Sequence, residues 1–458
     1  VFSPDGARIV FESDRDGTEG DEIYVMGSDG SGVRKVAEGV FPTWAPGGGE
    51  ILFESDHALW AVGVDGESPP RRLAERAVYG AWAPDGSAIA AATFDYDDDC
   101  RDRHALTLLG PDGSERRRLL PADPDEPTVE WLGAGIFAVL QPESGRFDDS
   151  NSVVVERDGG LLVIDTQASL AATRRTIEAI RRRSDLPVRQ LVLTHWHGDH
   201  VQGQAAYREL WPDVQVLGHV TLEADIRERA EPQLADEAAL YEQAISEARE
   251  RLERGVDRED QPLDAAGRQG LAEQIAAAEE RLAGMTAVPR PLAVPDLGYG
   301  GELVLGSGPG AVRLLHRRAH TRGDTIVHLP EAGVLVTGDV LDDLPFGGHG
   351  YPSSWIATLD GLADLDFELV VPGHGRVRRG RAHLERVLAM LRSLVEQVDE
   401  AVERELEIEG TRAAVDLEPF RRELVGDDPV AARVWEPFIQ PTIERAWLES
   451  RGELPADG

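Results

Sequence analysis

The apolar run Leu191-Val192-Leu193-Thr194, followed at once by His195-Trp196-His197-Gly198-Asp199-His200, constrains this chain more than any other stretch. A β-prone segment built to be buried ends in three imidazoles and a carboxylate within six positions. Burying that many polar groups uncompensated is costly, and a cation is what offsets the cost. The arrangement belongs on the loop where a buried strand of a layered α/β fold ends. Imidazole nitrogens and carboxylate oxygens are donors that Zn²⁺ accepts. His195 and His197 alternate and can converge on one ion, while Asp199 and His200 turn toward a neighbour. One dense site has room for two ions.

The same placement recurs downstream. His320 lies in Ala319-His320-Thr321-Arg322-Gly323-Asp324 after Ala311–Leu315, Asp339 follows Val334-Leu335-Val336, and His374 follows Leu369-Val370. The HxHxDH pattern together with these three residues resembles the metallo-β-lactamase superfamily, over about residues 130 to 385. That resemblance implies an α/β fold, an αββα sandwich, holding two Zn²⁺ per chain. His195, His197 and His320 would bind the first, Asp199, His200 and His374 the second, and Asp339 would bridge them. Asp199 would also be catalytic, orienting a bridging hydroxide that attacks a small-molecule ester, thioester, lactone or amide. Asp165, ending Leu161–Ile164, matches a position that supports the site, and Asp324 would orient its own loop. His349, on the glycine-rich Phe346–Tyr351 stretch, is a candidate to face substrate. His57, His104 and His383 read as hydrogen-bonded surface residues, and His316 as a strand residue.

Within the superfamily the motifs look most like the zinc metallohydrolases associated with sulfur oxidation and quinoprotein relay systems. A β-lactamase or a glyoxalase II-like thioesterase is the alternative. Lactamases with a cysteine on the second zinc are set apart, because Asp339 takes that place and Cys100 is the only cysteine. From another class, the chain reads as a propeller-based binding protein with a non-catalytic metal domain. Against this, no ligand of the set is missing.

At 458 residues the chain is long enough for two or three domains. A net charge of −37 argues against nucleic acid and anionic membrane as partners. Arg181–Arg183 and Arg378-Arg379 are too short to make a basic track, which leaves a small molecule as the expected partner. No apolar run is long enough to span a bilayer. The chain starts at Val1 in mid-motif, so upstream sequence, with any export signal, is expected to be missing. A soluble protein of the cytoplasm or periplasm fits either way.

Residues 1–120 repeat. Phe2-Ser3-Pro4-Asp5-Gly6, Trp44-Ala45-Pro46-Gly47-Gly48 and Trp82-Ala83-Pro84-Asp85-Gly86 recur about every forty residues, each before a strand-like run. They resemble WD40-like β-propeller repeats of the Tol system and predict four-stranded antiparallel blades in an incomplete propeller. Asp95, Asp97, Asp98 and Asp99 read as a solvated acidic loop. A proline-rich linker at 121–130 then leads to the catalytic domain, 131–385, which opens on strands at 135–140, 152–156 and 161–164 and a helix from Ser169 to Arg183. Residues 222–284 read as an inserted helical hairpin with arms Ala235–Arg254 and Leu263–Ala283. Its stripe Ala239, Ala244, Ile245, Leu252 is expected to face Leu271, Ile275, Ala278, Leu282. The hairpin would wall the site or join two copies into a homo-oligomer. Residues 386–458 complete the chain as a helical region.

Overall fold

The computed structural model describes the chain except residues 16–21, 57, 67, 76, 97–101, 121–125, 134 and 456–458. It divides into two compact units, Val1–Glu126 and Pro127–Gly458.

The first unit is built of antiparallel meanders. One sheet holds β1 (Arg8–Ser13), β2 (Glu22–Gly27) and β3 (Arg34–Glu38). The next holds β4 (Val40–Trp44), β5 (Glu50–Ser55), β6 (Ala58–Gly63) and β7 (Arg71–Glu75). The third holds β8 (Ala77–Trp82), β9 (Ile89–Tyr96), β10 (Asp102–Leu109) and β11 (Glu115–Leu120). The sequence repeats are turn repeats: the N–H groups of Gly6, Gly48 and Gly86 donate to the carbonyls of Ser3, Ala45 and Ala83. The second turn of each repeat closes the same way, from Gly30, Gly66 and Gly113 to Gly27, Gly63 and Gly110. One correction applies to the expected blades: among the described residues the first sheet has three strands rather than four. Residues 121–125 of the expected linker and Asp97, Asp98 and Asp99 of the acidic loop, with His57 and Cys100, lie outside the described residues, whereas Asp95 falls in β9 and residues 128–130 open the next strand.

The second unit has two mixed sheets. In the first, β12 (Thr128–Gly133), β13 (Ile136–Leu140), β14 (Ser152–Arg157) and β15 (Gly160–Ile164) run antiparallel; β16 (Val188–Val192), β17 (Gln215–His219) and β18 (Leu297–Tyr299) then continue parallel to β15. The second runs β19 (Glu302–Leu305), β20 (Val312–Arg317), β21 (Asp324–Leu329), β22 (Val334–Gly338), β23 (Leu369–Pro372) and β24 (Arg378–Arg379), with only β22 and β23 parallel. The helices are α1 (Leu170–Arg181), α2 (Gly198–Val201), α3 (Gln204–Leu210), α4 (Leu222–Asp225), α5 (Glu231–Arg254), α6 (Ala265–Ala287), α7 (Pro352–Ala363), α8 (Ala382–Glu403), α9 (Ile408–Ala414), α10 (Glu418–Leu424) and α11 (Pro429–Ser450).

The two-residue period of the strands sorts the core into layers. Val153, Leu162, Ile164 and Val192 meet Leu314, Val327, Val336 and Val371 between the sheets. Their neighbours Val154, Leu161, Val163 and Leu191 face outward onto Ile177 and Ile180 of α1 and Tyr207 of α3. On the far side Leu315, Ile326, Leu335 and Val370 pack under Trp355 of α7, Leu391 of α8 and Ile439 of α11. The order helix, sheet, sheet, helix follows from these three cores. The Ser169 hydroxyl caps α1 by accepting from Ala172 N.

The inserted hairpin is α5 and α6, held by Ile245, Leu271 and Ile275 with Ala248, Leu252, Ala278 and Leu282 around them. Ala239 and Ala244 of the expected stripe are exposed, and Ala238 is buried instead. From 238 to 245 is a seven-residue step, two helical turns, which keeps these positions on one face. His383 is likewise buried rather than at the surface, with Nε2 2.7 Å from the carbonyl of Asp342. His316 lies in β20, its ring stacked on His219 at 3.7 Å. Among the described residues no helix is long and apolar enough to cross a membrane.

Candidate metal centre

Parallel pairing puts the loops after β15 and β16, and after β22 and β23, at the same ends of their sheets, and the singled-out residues sit there. Asp165 follows β15, His195 to His200 follow β16, His320 lies between β20 and β21, Asp339 follows β22 and His374 follows β23. Thr325 N donates to Thr194 O, tying the two sheets together beside the cluster. Gly338, at φ +49°, turns the chain so that Asp339 points inward. At Gly373 a Cβ would lie 2.1 Å from Asp339 Oδ1, so the carboxylate occupies space only glycine leaves.

The two oxygens of Asp339 face different groups. Oδ2 lies 3.4 Å from His195 Nε2, 3.4 Å from His320 Nε2 and 3.9 Å from His197 Nδ1. Oδ1 lies 3.0 Å from His200 Nε2 and 3.6 Å from His374 Nε2. Asp199 Oδ2 completes the second group at 3.2 Å from His200 Nε2 and 3.0 Å from His374 Nε2. Donors on one tetrahedral ion at zinc–nitrogen bond lengths are about 3.3 Å apart, which is the spacing seen. The donor atoms are buried, and His195 Nε2, His200 Nε2, Asp199 Oδ2 and Asp339 Oδ1 make no properly oriented hydrogen bond. They converge on shared points rather than on one another. Orphaned buried nitrogens and oxygens in that geometry fit the binding of metal cations.

The outer nitrogen of each imidazole is held as well. Carbonyl oxygens only accept, so His320 Nδ1 donates to Phe346 O at 2.7 Å and His374 Nδ1 to Arg146 O at 2.9 Å. In its neutral form each ring is thereby left with its lone pair on Nε2. His200 Nδ1 sits 2.9 Å from Asp165 Oδ2, and His195 Nδ1 3.1 Å from Thr194 Oγ1. Asp165 also accepts from the N–H and hydroxyl of Thr194, both at 2.7 Å. These bonds hold it at φ +63°, a conformation unusual for aspartate. Asp324 braces the His320 loop by accepting from the N–H groups of Ala319 and Thr321 and from the Thr321 hydroxyl. His349 Nδ1 lies 2.8 Å from His197 Nε2, its ring against Trp196. It therefore reaches the cluster through His197.

Burial favours neutral histidines and protonated carboxyls, and the charges of the cluster set the outcome. For His374 the surrounding Asp339, Asp342 and Asp199 outweigh burial and raise it to about 10. His200 is raised well above its usual value, as Asp339, Asp199 and Asp165 overcome the same penalty. Burial and neighbouring imidazoles push His195 and His320 down. Asp199 and Asp339 stay well below the usual carboxylate range, because the histidines outweigh burial. Burial raises Asp324 to about 6. His349 falls to about 3 through burial, with His197, Arg445 and Arg229 adding to it.

Several residues of the site escape sequence reasoning. Asp342 is buried, accepts from His374 N at 2.9 Å and forms a third close donor group with Asp339 and His374. Burial and the Asp339 charge raise its pKa well above the usual carboxylate range. The acidic pair Asp342-Asp343, three residues past a ligand-type aspartate, was the available signal. Arg146 and Thr194 act through a backbone carbonyl and a hydroxyl, which carry no compositional mark.

Comparison with known proteins agrees with this geometry. A profile of the metallo-beta-lactamase superfamily matches residues 145–374, half of the chain. A linear primary-alkylsulfatase from Pseudomonas sp. (strain ATCC 19151) is 24% identical over 267 residues, 55% of this chain and 46% of the relative. An atrochrysone carboxyl ACP thioesterase from Passalora fulva is 31% identical over 94 residues, 20% of this chain and 28% of the relative. The chain thus spans less than half the length of either. Among solved structures, the stereoselective inverting sec-alkylsulfatase Pisa1 from Pseudomonas sp. aligns with a TM-score of 0.50 at 17% identity. It covers 72% of this chain and 51% of that one, a likeness of fold.

Proposed function

The chain belongs to the metallo-β-lactamase superfamily of hydrolases, and on that premise we propose that it is a binuclear zinc hydrolase of small-molecule ester-type substrates. The division of the Asp339 carboxylate between two donor groups carries the reading. His195, His197 and His320 would hold one ion, Asp199, His200 and His374 the other, and Asp339 both. Bound there, such ions supply Lewis acidity and an activated water. Asp199 holds one oxygen on His200 and His374, and its side chain is the most exposed of the seven, at 19%. Ionised, it can only accept, which suits it to orient an attacking water while it ligates. His349 would position His197, while Asp165 and Asp324 hold the His200 and His320 loops.

The relatives put sulfate esters and acyl thioesters at the head of the candidate substrates, beside lactones and amides. The guanidinium groups of Arg229 and Arg445, which lower His349 through their charge, favour substrates with an anionic group. The same reading makes nucleic acid an unsuitable partner and gives the α5–α6 hairpin a role in pairing two copies. It also takes the N-terminal sheets as WD40-like blades, supported by their repeated turns. Elemental analysis of the purified protein with a panel of thioesters, sulfate esters, lactones, β-lactams and phosphodiesters tests the proposal. About two zinc per chain and a hydrolysis abolished by chelator are expected. A metal-free protein, or turnover indifferent to chelation, would sink it.

A further inference from the structure

α11 lies beyond the segment matched by the superfamily, yet it is fastened to the metal centre at three points. Its N-cap Asp428 pairs with Arg146 at 2.5 Å, and the Arg146 carbonyl accepts from His374 Nδ1. Thr442 packs so closely on Gly347 that a Cβ there would lie 2.4 Å from its hydroxyl. Arg445 Nε donates to Gly350 O at 2.8 Å, on the loop that carries His349. Between these anchors, bracketed by Pro437 and Pro441, α11 carries Phe438.

The Phe438 ring meets Phe346 edge-on at 5.3 Å and Phe147 at 5.5 Å. Phe346 in turn lies 6.0 Å from His320 and 6.1 Å from His197, and Phe147 lies 6.4 Å from His374. Three rings from three separate segments thus form one apolar wall touching both halves of the donor cluster. None is fully buried, whereas Trp355 in the adjoining core is. Aromatic surface left partly exposed beside a polar reactive centre is what an apolar ligand group would cover.

We infer that α11 is a working part of the active site, and that Phe438, with Phe346 and Phe147, forms a subsite for an alkyl or aryl group next to the scissile bond. Phe438 is its specificity-determining residue. The inference rests on the hydrolytic reading above.

The test uses the full metal-loaded chain and p-nitrophenyl esters from acetyl to octanoyl, with Phe438→Gln and Phe438→Trp beside the parent. In the parent, kcat/KM is expected to rise about fourfold per methylene, the water-to-apolar transfer value. Phe438→Gln should flatten that slope and Phe438→Trp should move the preference to shorter chains, with zinc content and unfolding midpoint held. A parent without a slope, or the same slope in every variant that folds, overturns the inference. If the parent hydrolyses no ester, the hydrolytic reading fails on its own. Calorimetric binding of octanoate against butyrate then decides the subsite: a preference for octanoate that Phe438→Gln removes supports it, and no preference, or one that survives, overturns it.

Discussion

The two halves of the cluster differ in protons, so pH should separate them. His200 and His374 are held protonated in the metal-free protein, because the carboxylates around them outweigh burial. His195 and His320 are held neutral. A divalent ion needs the imidazole lone pair, so filling the Asp199–His200–His374 group displaces protons that the other group does not carry. With His374 at about 10, removing its proton at pH 7 costs about 4 kcal/mol. That is roughly a thousandfold in apparent affinity. Between pH 7 and 9 the second ion should bind about tenfold tighter per pH unit for each proton displaced, and the first ion should hardly change. Chelator-competition titrations with Zn²⁺ or Co²⁺ at several pH values give the slopes. Calorimetry in two buffers of different ionisation heat counts the protons. Equal slopes for both ions, or no proton released with the second, would refute the assignment of charge.

The same shift sets a stability profile. A histidine raised to about 10 stabilises the fold fully below its unfolded value near 6.5 and loses that contribution as pH rises through 10. The metal-free protein should therefore melt at falling temperature from pH 7 to 10 while the loaded protein does not, as calorimetry can show. Asp339→Ala should lose the second ion first, zinc per chain dropping from two toward one, with kcat falling far more than KM rises. Asp165→Ala orphans the Thr194 N–H and removes the carboxylate partner of the Thr194 hydroxyl and of His200 Nδ1. A destabilisation of about 3 kcal/mol or more and metal affinity lower by roughly 10- to 100-fold are expected in denaturant and competition titrations. Gly373→Ala should displace the Asp339 carboxylate and cost metal affinity while the far-UV circular dichroism stays that of the parent.

The ligand-type residues were legible because each marks the end of a run whose pattern is local: Leu191–Leu193, Val334–Val336 and Leu369-Val370 read as buried strands, and the chemistry begins where they stop. The repeated aromatic-proline-glycine turns announced the N-terminal sheets for the same reason, since a turn is specified by a few adjacent residues. The α5–α6 hairpin was legible in its arms but one position off in its stripe, because alanines fit either side of a helix and only packing chooses Ala238 over Ala239. What the tertiary structure alone decided is distance across the chain. The division of Asp339 between two donor groups, the carbonyls of Arg146 and Phe346 fixing two rings, the raised charge state of His374, and Phe438 arriving from α11 all depend on which loops meet. Backbone carbonyls belong to every residue and electrostatic shifts to the sum of neighbours, so neither leaves a local mark. The sequence determined which residues can do chemistry here; the fold decided which of their atoms face one another.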